Sequence, residues 1–298
     1  MEKSLKWYEL LITALIKTSG YSAVIFVAAI FFFLMREGIP ALAVVDLGNL
    51  FSARWYPIEN YYGLLPLIGG SLIVTLGAML VAIPIGLGTA IFLAEVAPRW
   101  MREILKPLVE VLAGIPSVVL GFIGILALSP FLRTTLDLPT GLTALAGSLL
   151  LGAIAIPTMV SVSEDALDAV PRSYRDAALA LGATRWQTIW LVTLPAARSG
   201  VLTAIMLGIG RAIGETMTVM MVTGNAPVLP TSLSAIFSPV RTMTATIATE
   251  MGEVATGSIH YHVLFFIGVV LFAIALAVNV TASAVVFHQR KRSERILS

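Results

Sequence analysis

The 298-residue chain contains no cysteine, three histidines and only 12% charged residues. Without cysteine there is neither a disulfide nor a thiolate metal centre, and three histidines make a poor basis for a histidine-only one. The sequence also lacks G-x-x-x-x-G-K-[ST], H-E-x-x-H and G-x-S-x-G, the marks of a nucleotide phosphate loop, a zinc hydrolase and a serine hydrolase. Neither a low-complexity linker nor a long repeat divides it. No cofactor is implied, and nothing points to nucleic acid. What remains is apolar: 58% of residues are hydrophobic and the mean hydropathy is +0.93. A soluble domain carries about 25% charged residues. A chain with half that share cannot cover itself with polar surface, so lipid must cover the rest. The fold class expected is all-α, a polytopic membrane protein.

Six stretches meet or approach the roughly 20 apolar residues that cross a bilayer as a helix. They are 19–35, 64–94, 108–132, 142–162, 199–222 and 263–287. Residues 10–16 are also largely apolar, and Trp7 and Tyr8 among lysines suggest an interfacial helix lying on the membrane. No small-residue cleavage site precedes the first span, so the N-terminus reads as retained. Lys3, Lys6 and Lys17 precede span one, and Arg99, Arg102 and Lys106 separate spans two and three. Arg172, Arg175, Arg185 and Arg198 separate spans four and five, and Arg290, Lys291, Arg292 and Arg295 follow span six. Only Arg36, Arg54, Arg133 and Arg241 fall in the opposite loops. The positive-inside rule therefore places both termini in the cytoplasm, with the basic tail against anionic lipid headgroups. His260 and His262 have a strand-like spacing and read as interfacial residues rather than a metal site.

The loop between spans four and five is the most structured segment outside the membrane. Ser173 with Asp176 is a helix-start signal, residues 177–181 are strong helix formers, and Gly182 ends the helix. Thr184 with Gln187 opens a second helix, and Pro195 closes the segment. Two short helices joined by a glycine turn are expected, sized either to enter a groove on a partner or to rest on lipid. Asp176-Ala177-Ala178, three residues, Gly182, nine residues and Val192-Thr193-Leu194-Pro195 resemble the Glu-Ala-Ala loop of ATP-binding-cassette importer permeases. Asp176 stands there for Glu and Val192 for Ile. The resemblance implies that Asp176, Ala177, Ala178, Gly182, Leu194 and Pro195 belong to a coupling helix that docks on an ATP-binding subunit.

Arg211 and Glu215 are the only charged residues between Arg198 and Arg241. Four positions apart on a continuous helix, they would share a face and pair. Each costs about 2.5–3.5 kcal/mol at mid-membrane, so a functional role competes with a purely structural ion pair. An anion path suits them: the guanidinium fork binds phosphate oxygens bidentately, and Glu215 would neutralise it when no substrate is bound. Gly208, Gly210 and Gly214 keep this helix slim for a neighbour or a pathway.

Gly210-Arg211-Ala212-Ile213-Gly214-Glu215-Thr216 is similar to the Arg-Ala-Ile-Gly-Glu-Thr segment of Pst-type phosphate permeases. Gly114-Ile115-Pro116-Ser117, Pro239-Val240-Arg241-Thr242 and Glu250-Met251-Gly252-Glu253 agree. Tyr62-Gly63-Leu64 and the long first outer loop resemble the PstC subunit more than its PstA partner. The resemblance implies the MetI-like permease fold and a substrate path through Arg211 and Glu215. It also implies a PstA-like second permease subunit, ATP-binding subunits that hydrolyse ATP, and an outer phosphate-binding protein. The expected organisation is an N-terminal segment with span one and the first outer loop (1–62), the permease domain (63–290) with its coupling loop (164–196), and a basic tail (291–298). A sulfate or molybdate permease, a self-sufficient secondary transporter and a membrane-embedded enzyme are the alternatives.

Overall fold

Hydrocarbon offers the backbone no hydrogen-bond partner, so a spanning segment must satisfy its own amides, and this chain does so with helices. The computed structural model describes the backbone of residues 2–297 and the side chains of residues 9–281, 283 and 284. Six helical stretches there are long and apolar enough to cross a membrane: Glu9–Val44, Leu65–Val96, Ser117–Thr135, Ala144–Asp168, Arg185–Gly214 and Ile259–Thr281. They follow the six predicted spans in order.

The elements run as follows. Helix α1 (Glu2–Gly38) leads into short α2 (Pro40–Val44) and α3 (Leu47–Leu50), then a hairpin of β1 (Trp55–Tyr56) and β2 (Tyr61–Tyr62). Helix α4 (Leu65–Ile91) continues through a π-turn at Phe92–Val96 and is followed by α5 (Arg99–Gly114). Span three is α6 (Ser117–Ile123), a π-turn and α7 (Ser129–Thr135), and span four is α8 (Ala144–Asp168). Outside it stands α9 (Arg172–Ala180); span five joins α10 (Arg185–Thr188) through a π-turn to α11 (Leu194–Gly214). Last come α12 (Met217–Val222), α13 (Met243–Glu250) and α14 (Ile259–Leu297).

Three boundaries differ from expectation. The backbone of α1 runs unbroken from Glu2, so no separate surface helix precedes span one; the side chains of Trp7 and Tyr8 lie outside the described residues. Span three begins at Ser117 rather than 108, because Ile115, held extended at ψ 126° before Pro116, cannot continue the helix. Span five stops at Gly214 rather than 222.

The core is built by α4, α8 and α11. Val74, Ala78 and Ala82 meet Leu151, Ala155 and Met159, with Ala212 closing the cluster. Gly208 lets α11 press onto Met159: a Cβ there would lie 2.3 Å from the methionine methyl. A second cluster unites the hairpin with the start of α14, where Leu50, Trp55, Tyr62 and Leu64 surround Val263, Leu264 and Ile267. Helix α1 packs on α14, with Phe31 and Phe33 against Phe272 and Phe265.

A charged site where two spans break

Two membrane spans lose their helical ladder at neighbouring points. Before span three the break is Ile115–Pro116, between α5 and α6. In span five it follows Gly214, with Glu215 extended at ψ 129°. Glycine is the poorest helix former after proline, and the polar side chains that follow replace the lost backbone bonds. Thr216 Oγ1 donates to the Gly214 carbonyl at 3.3 Å, and Glu215 Oε1 accepts from the Thr218 amide at 3.1 Å. The breaks touch where Thr218 Oγ1 donates to the Ser117 carbonyl at 2.9 Å. Gly121 permits this approach, since a Cβ there would lie 2.7 Å from Met221 Sδ.

The break corrects the expected pairing. Among the described residues no ion pair joins Arg211 to Glu215, because the four-residue spacing brings side chains together only on an unbroken helix. Arg211 instead donates through Nη1 to Thr158 Oγ1 (3.3 Å) and through Nη2 to the Ala113 carbonyl (3.4 Å), the last turn of α5. Both acceptors are neutral, and the guanidinium is exposed on the outside of the isolated chain. Nothing lies within 4 Å of a Cβ built on Gly210 or Gly214, so this flank of α11 is open.

Glu215 is half-buried and caps the first turn of α12. It borders a cavity of about 10 Å3 lined also by Ser71, Thr75, Thr242 and Thr244, near the smallest that holds one water. Helix α13 reaches in beside it. Thr244 Oγ1 donates to the Glu215 carbonyl at 3.1 Å, and the Met243 amide donates to Ser71 Oγ at 3.0 Å.

The helical hairpin forms with shifted ends. Helix α9 starts from Pro171 as N-cap rather than Ser173, with no side-chain cap. Gly182 takes φ +88° and ends the helix. Thr184 and Gln187 exchange both bonds of a capping box. Beyond it the helix runs on through the π-turn at Ile189–Thr193 into α11, with Pro195 just past that turn. There is thus one free-standing helix, carrying Asp176, Ala177 and Ala178, rather than two; Leu194 and Pro195 belong to the foot of span five. Leu181 at its tip is 90% exposed.

Two ion-pair networks at this basic end escaped sequence reasoning. Arg175 of α9 grips Glu95 through Nε (3.0 Å) and Nη2 (2.7 Å), and donates to the Leu167 and Val170 carbonyls at 2.8 and 2.6 Å. It thereby satisfies the open C-terminus of α8. Arg102 and Lys106 of α5 hold Glu164, which is 0% exposed, at 2.9 and 3.3 Å; Asp168 and Asp165 complete the cluster. Burial opposes both cations, yet bonds and charges outweigh it, from Asp168 and Glu164 at Arg102 and from Glu164 and Asp165 at Lys106. Both titrate above their ordinary values.

At the far end Glu250 is held by Arg241 (2.8 Å), His260 (2.8 Å) and the Trp55 indole N–H (3.2 Å). Burial raises its pKa, but the His260 bond, the Arg241 charge and the Trp55 bond more than offset it, leaving the carboxyl below its ordinary value. His262 Nδ1 lies 2.8 Å from the Glu37 carbonyl. No cluster of metal-ligating side chains occurs among the described residues.

Known proteins resemble this chain in sequence and in fold. The model of the family described as "Binding-protein-dependent transport system inner membrane component" matches residues 82–293. A probable ABC transporter permease, YqgH of Bacillus subtilis, is 43% identical over 228 residues, 76% of this chain and 73% of its own length. The phosphate transport system permease PstC of Xylella fastidiosa is 39% identical over 264 residues, 82% and 80% of the two chains. Its namesake from Pasteurella multocida is 34% identical over 295 residues, 90% and 91%. In structure the chain resembles the inward-facing MetNI methionine ABC transporter, with TM-score 0.58 and 20% identity over 74% of this chain and 93% of that one. A bacterial alginate ABC importer gives TM-score 0.57 and 16% identity over 92% and 97%. The MetI-like permease fold expected from the sequence is thus the fold observed, and the chain belongs to the family of inner membrane components of binding-protein-dependent transport systems.

Proposed function

We propose that this chain is a permease subunit of an ATP-driven importer of inorganic phosphate, with Arg211 contacting the anion as it passes. The observation that carries the reading is the setting of Arg211. A permanent cation stands exposed on the side of a membrane span, held among the described residues by a hydroxyl and a carbonyl alone. Facing hydrocarbon, it would cost about 2.5–3.5 kcal/mol. Its open flank therefore faces a second, PstA-like permease subunit across a wet path, and an anion supplies the missing negative charge. With Glu215 engaged on α12, the guanidinium has only neutral acceptors among the described residues, which phosphate oxygens can displace. Glu215 fixes the break and lines the path beside Ser71, Thr75, Thr242 and Thr244.

The basic end faces the cytoplasm in this reading, with both termini. Leu181 and the face of α9 around Asp176, Ala177 and Ala178 enter a groove of an ATP-binding subunit, Gly182 makes the turn, and Leu194 and Pro195 root the motion in span five. An outer binding protein delivers phosphate to residues 224–261, and lipid covers the remaining apolar faces. Phosphate, rather than sulfate or molybdate, is favoured by relatives named as phosphate permeases along most of the chain.

The test is uptake of labelled phosphate and labelled sulfate by cells carrying wild type or Arg211→Gln, with the assembled complex quantified in membranes. Phosphate uptake is expected to vanish while assembly persists. Unchanged uptake removes Arg211 from the path, and sulfate uptake by the wild type overturns the substrate.

A further inference from the structure

Helix α5 is held to the rest of the molecule in an unusual way. None of its residues is buried, and its long apolar side chains Trp100, Ile104, Leu108 and Val111 point outward. It is flanked by extended residues beside prolines, Ala97–Pro98 before it and Ile115–Pro116 after it. Between those two joints it is one continuous helix, with Pro107 inside it and Met101, Leu105 and Val109 half-buried, and charge joins it to α8. Arg102 and Lys106 reach across to Glu164, the one carboxylate of the cluster closed off from solvent, with Asp165 and Asp168 at its rim. Glu164 Oε2 has Lys106 Nζ at 3.3 Å without an aligned hydrogen bond, so the two basic residues together neutralise it.

The two ends of this arm lie at two different tasks. Its C-terminal turn, about 16 Å beyond Arg102, presents the Ala113 carbonyl to Arg211. Thr158, about 9 Å from Glu164 along α8, presents the second acceptor. The chain segment entering α5 carries Glu95, clasped by Arg175 of the helical hairpin. The contacts thus form a closed circuit: Arg211 to Thr158, along α8 to Glu164, across to α5, and back through Ala113.

We infer that Glu164 is a positioning residue for Arg211, a latch that sets α5 against α8 and passes movement of the α9 hairpin to the anion contact. The inference rests on the transport reading above. A phosphate bound at the guanidinium competes with the Ala113 carbonyl for Nη2, so anion arrival loosens one end of α5 while the latch keeps its axis in register. Without the latch the hairpin still moves with its ATP-binding partner, but α5 no longer transmits the movement.

The experiment uses the assembled importer in proteoliposomes and measures phosphate transported per ATP hydrolysed. In Glu164→Gln this ratio is expected to fall roughly tenfold with ATP hydrolysis continuing. Arg102→Gln, which leaves the buried position intact, repeats the fall should Glu164→Gln not assemble. Lys106→Arg preserves the ratio, as does Glu103→Gln on α5 outside the latch. Because the chain has no cysteine, Ile104→Cys spin-labelled before assembly with its partners reports α5 alone, and it should gain mobility in both latch variants. An unchanged ratio overturns the inference, and so does a proportional fall of transport and hydrolysis with unchanged label mobility. The label arm needs no substrate, so unaltered mobility sinks the latch whatever anion is carried. Failure of the wild type to carry phosphate sinks the substrate reading alone.

Discussion

Each end of the bundle holds a carboxylate gripped by two basic side chains, in opposite surroundings. At the far end Glu250 sits on α13 beside Arg241, His260 and Trp55. The elements it joins are packed: Leu50, Trp55, Tyr62, Leu64, Val263 and Leu264 all lie within one core. At the basic end Arg102 and Lys106 hold Glu164 at 2.9 and 3.3 Å, but α5, the element it holds, has no fully buried residue. The same chemistry closes a scaffold at one end and tethers an arm at the other. An ion pair adds little net stability over apolar packing, yet costs much when one partner is removed. It is therefore suited to holding in register an element that has little apolar packing of its own.

The largest effect expected on stability is at the far end. Trp55 is 3% exposed, with its ring 6.1 Å from Tyr62 and 6.0 Å from His260. Trp55→Ala should cost about 3–5 kcal/mol, read as thermal unfolding of the detergent-solubilised protein. Trp100→Ala, on the exposed face of α5, should stay within about 0.5 kcal/mol. Equal losses would erase the distinction between scaffold and arm.

A smaller and pH-dependent effect is expected at Glu250. Its folded pKa lies below the ordinary value of 4.5, so the charged form is the one the fold stabilises. That contribution is fully present above the unfolded value and is lost as the pH falls through the folded one. Glu250→Gln should cost about 1.5–3 kcal/mol at neutral pH. The gap between wild type and variant should close as the pH drops below about 4.5. A gap constant with pH would mean that Glu250 acts by shape and hydrogen bonding, and the parallel with Glu164 would fail.

What the sequence discloses and what it hides follow the range of the interactions. Apolar runs mark the six spans, since each is a local property of about 20 residues. Gly182 and the Thr184–Gln187 spacing mark the hairpin for the same reason. The pairing of Arg211 with Glu215 does not form because periodicity assumes a continuous helix; Gly214 followed by two polar residues is the local sign against it. Ile115–Pro116 signalled the shorter span three in the same way. The Glu164 cluster joins residues about 60 positions apart, and no local pattern announces such a contact. The basic residues of α5 served only to orient the chain, although Arg102 and Lys106, four apart, already define one charged face.

The smallest effect belongs to the hairpin, and it tests whether the basic end acts as an arm. Thr184 Oγ1 accepts from the Gln187 amide at 3.3 Å while Gln187 Oε1 accepts from the Thr184 amide at 2.8 Å. Thr184→Ala removes half of this box at a cost of about 1 kcal/mol, on an exposed turn whose opening leaves the core untouched. Thermal unfolding should therefore shift little. The cap also fixes where span five begins, three residues before buried Thr188. Fraying here should separate α9 from α11 mechanically, lowering phosphate transported per ATP by a few-fold with the complex intact. If transport and unfolding temperature fall in step instead, the turn is scaffold like the far end, and the movable portion of the molecule shrinks to α5 alone.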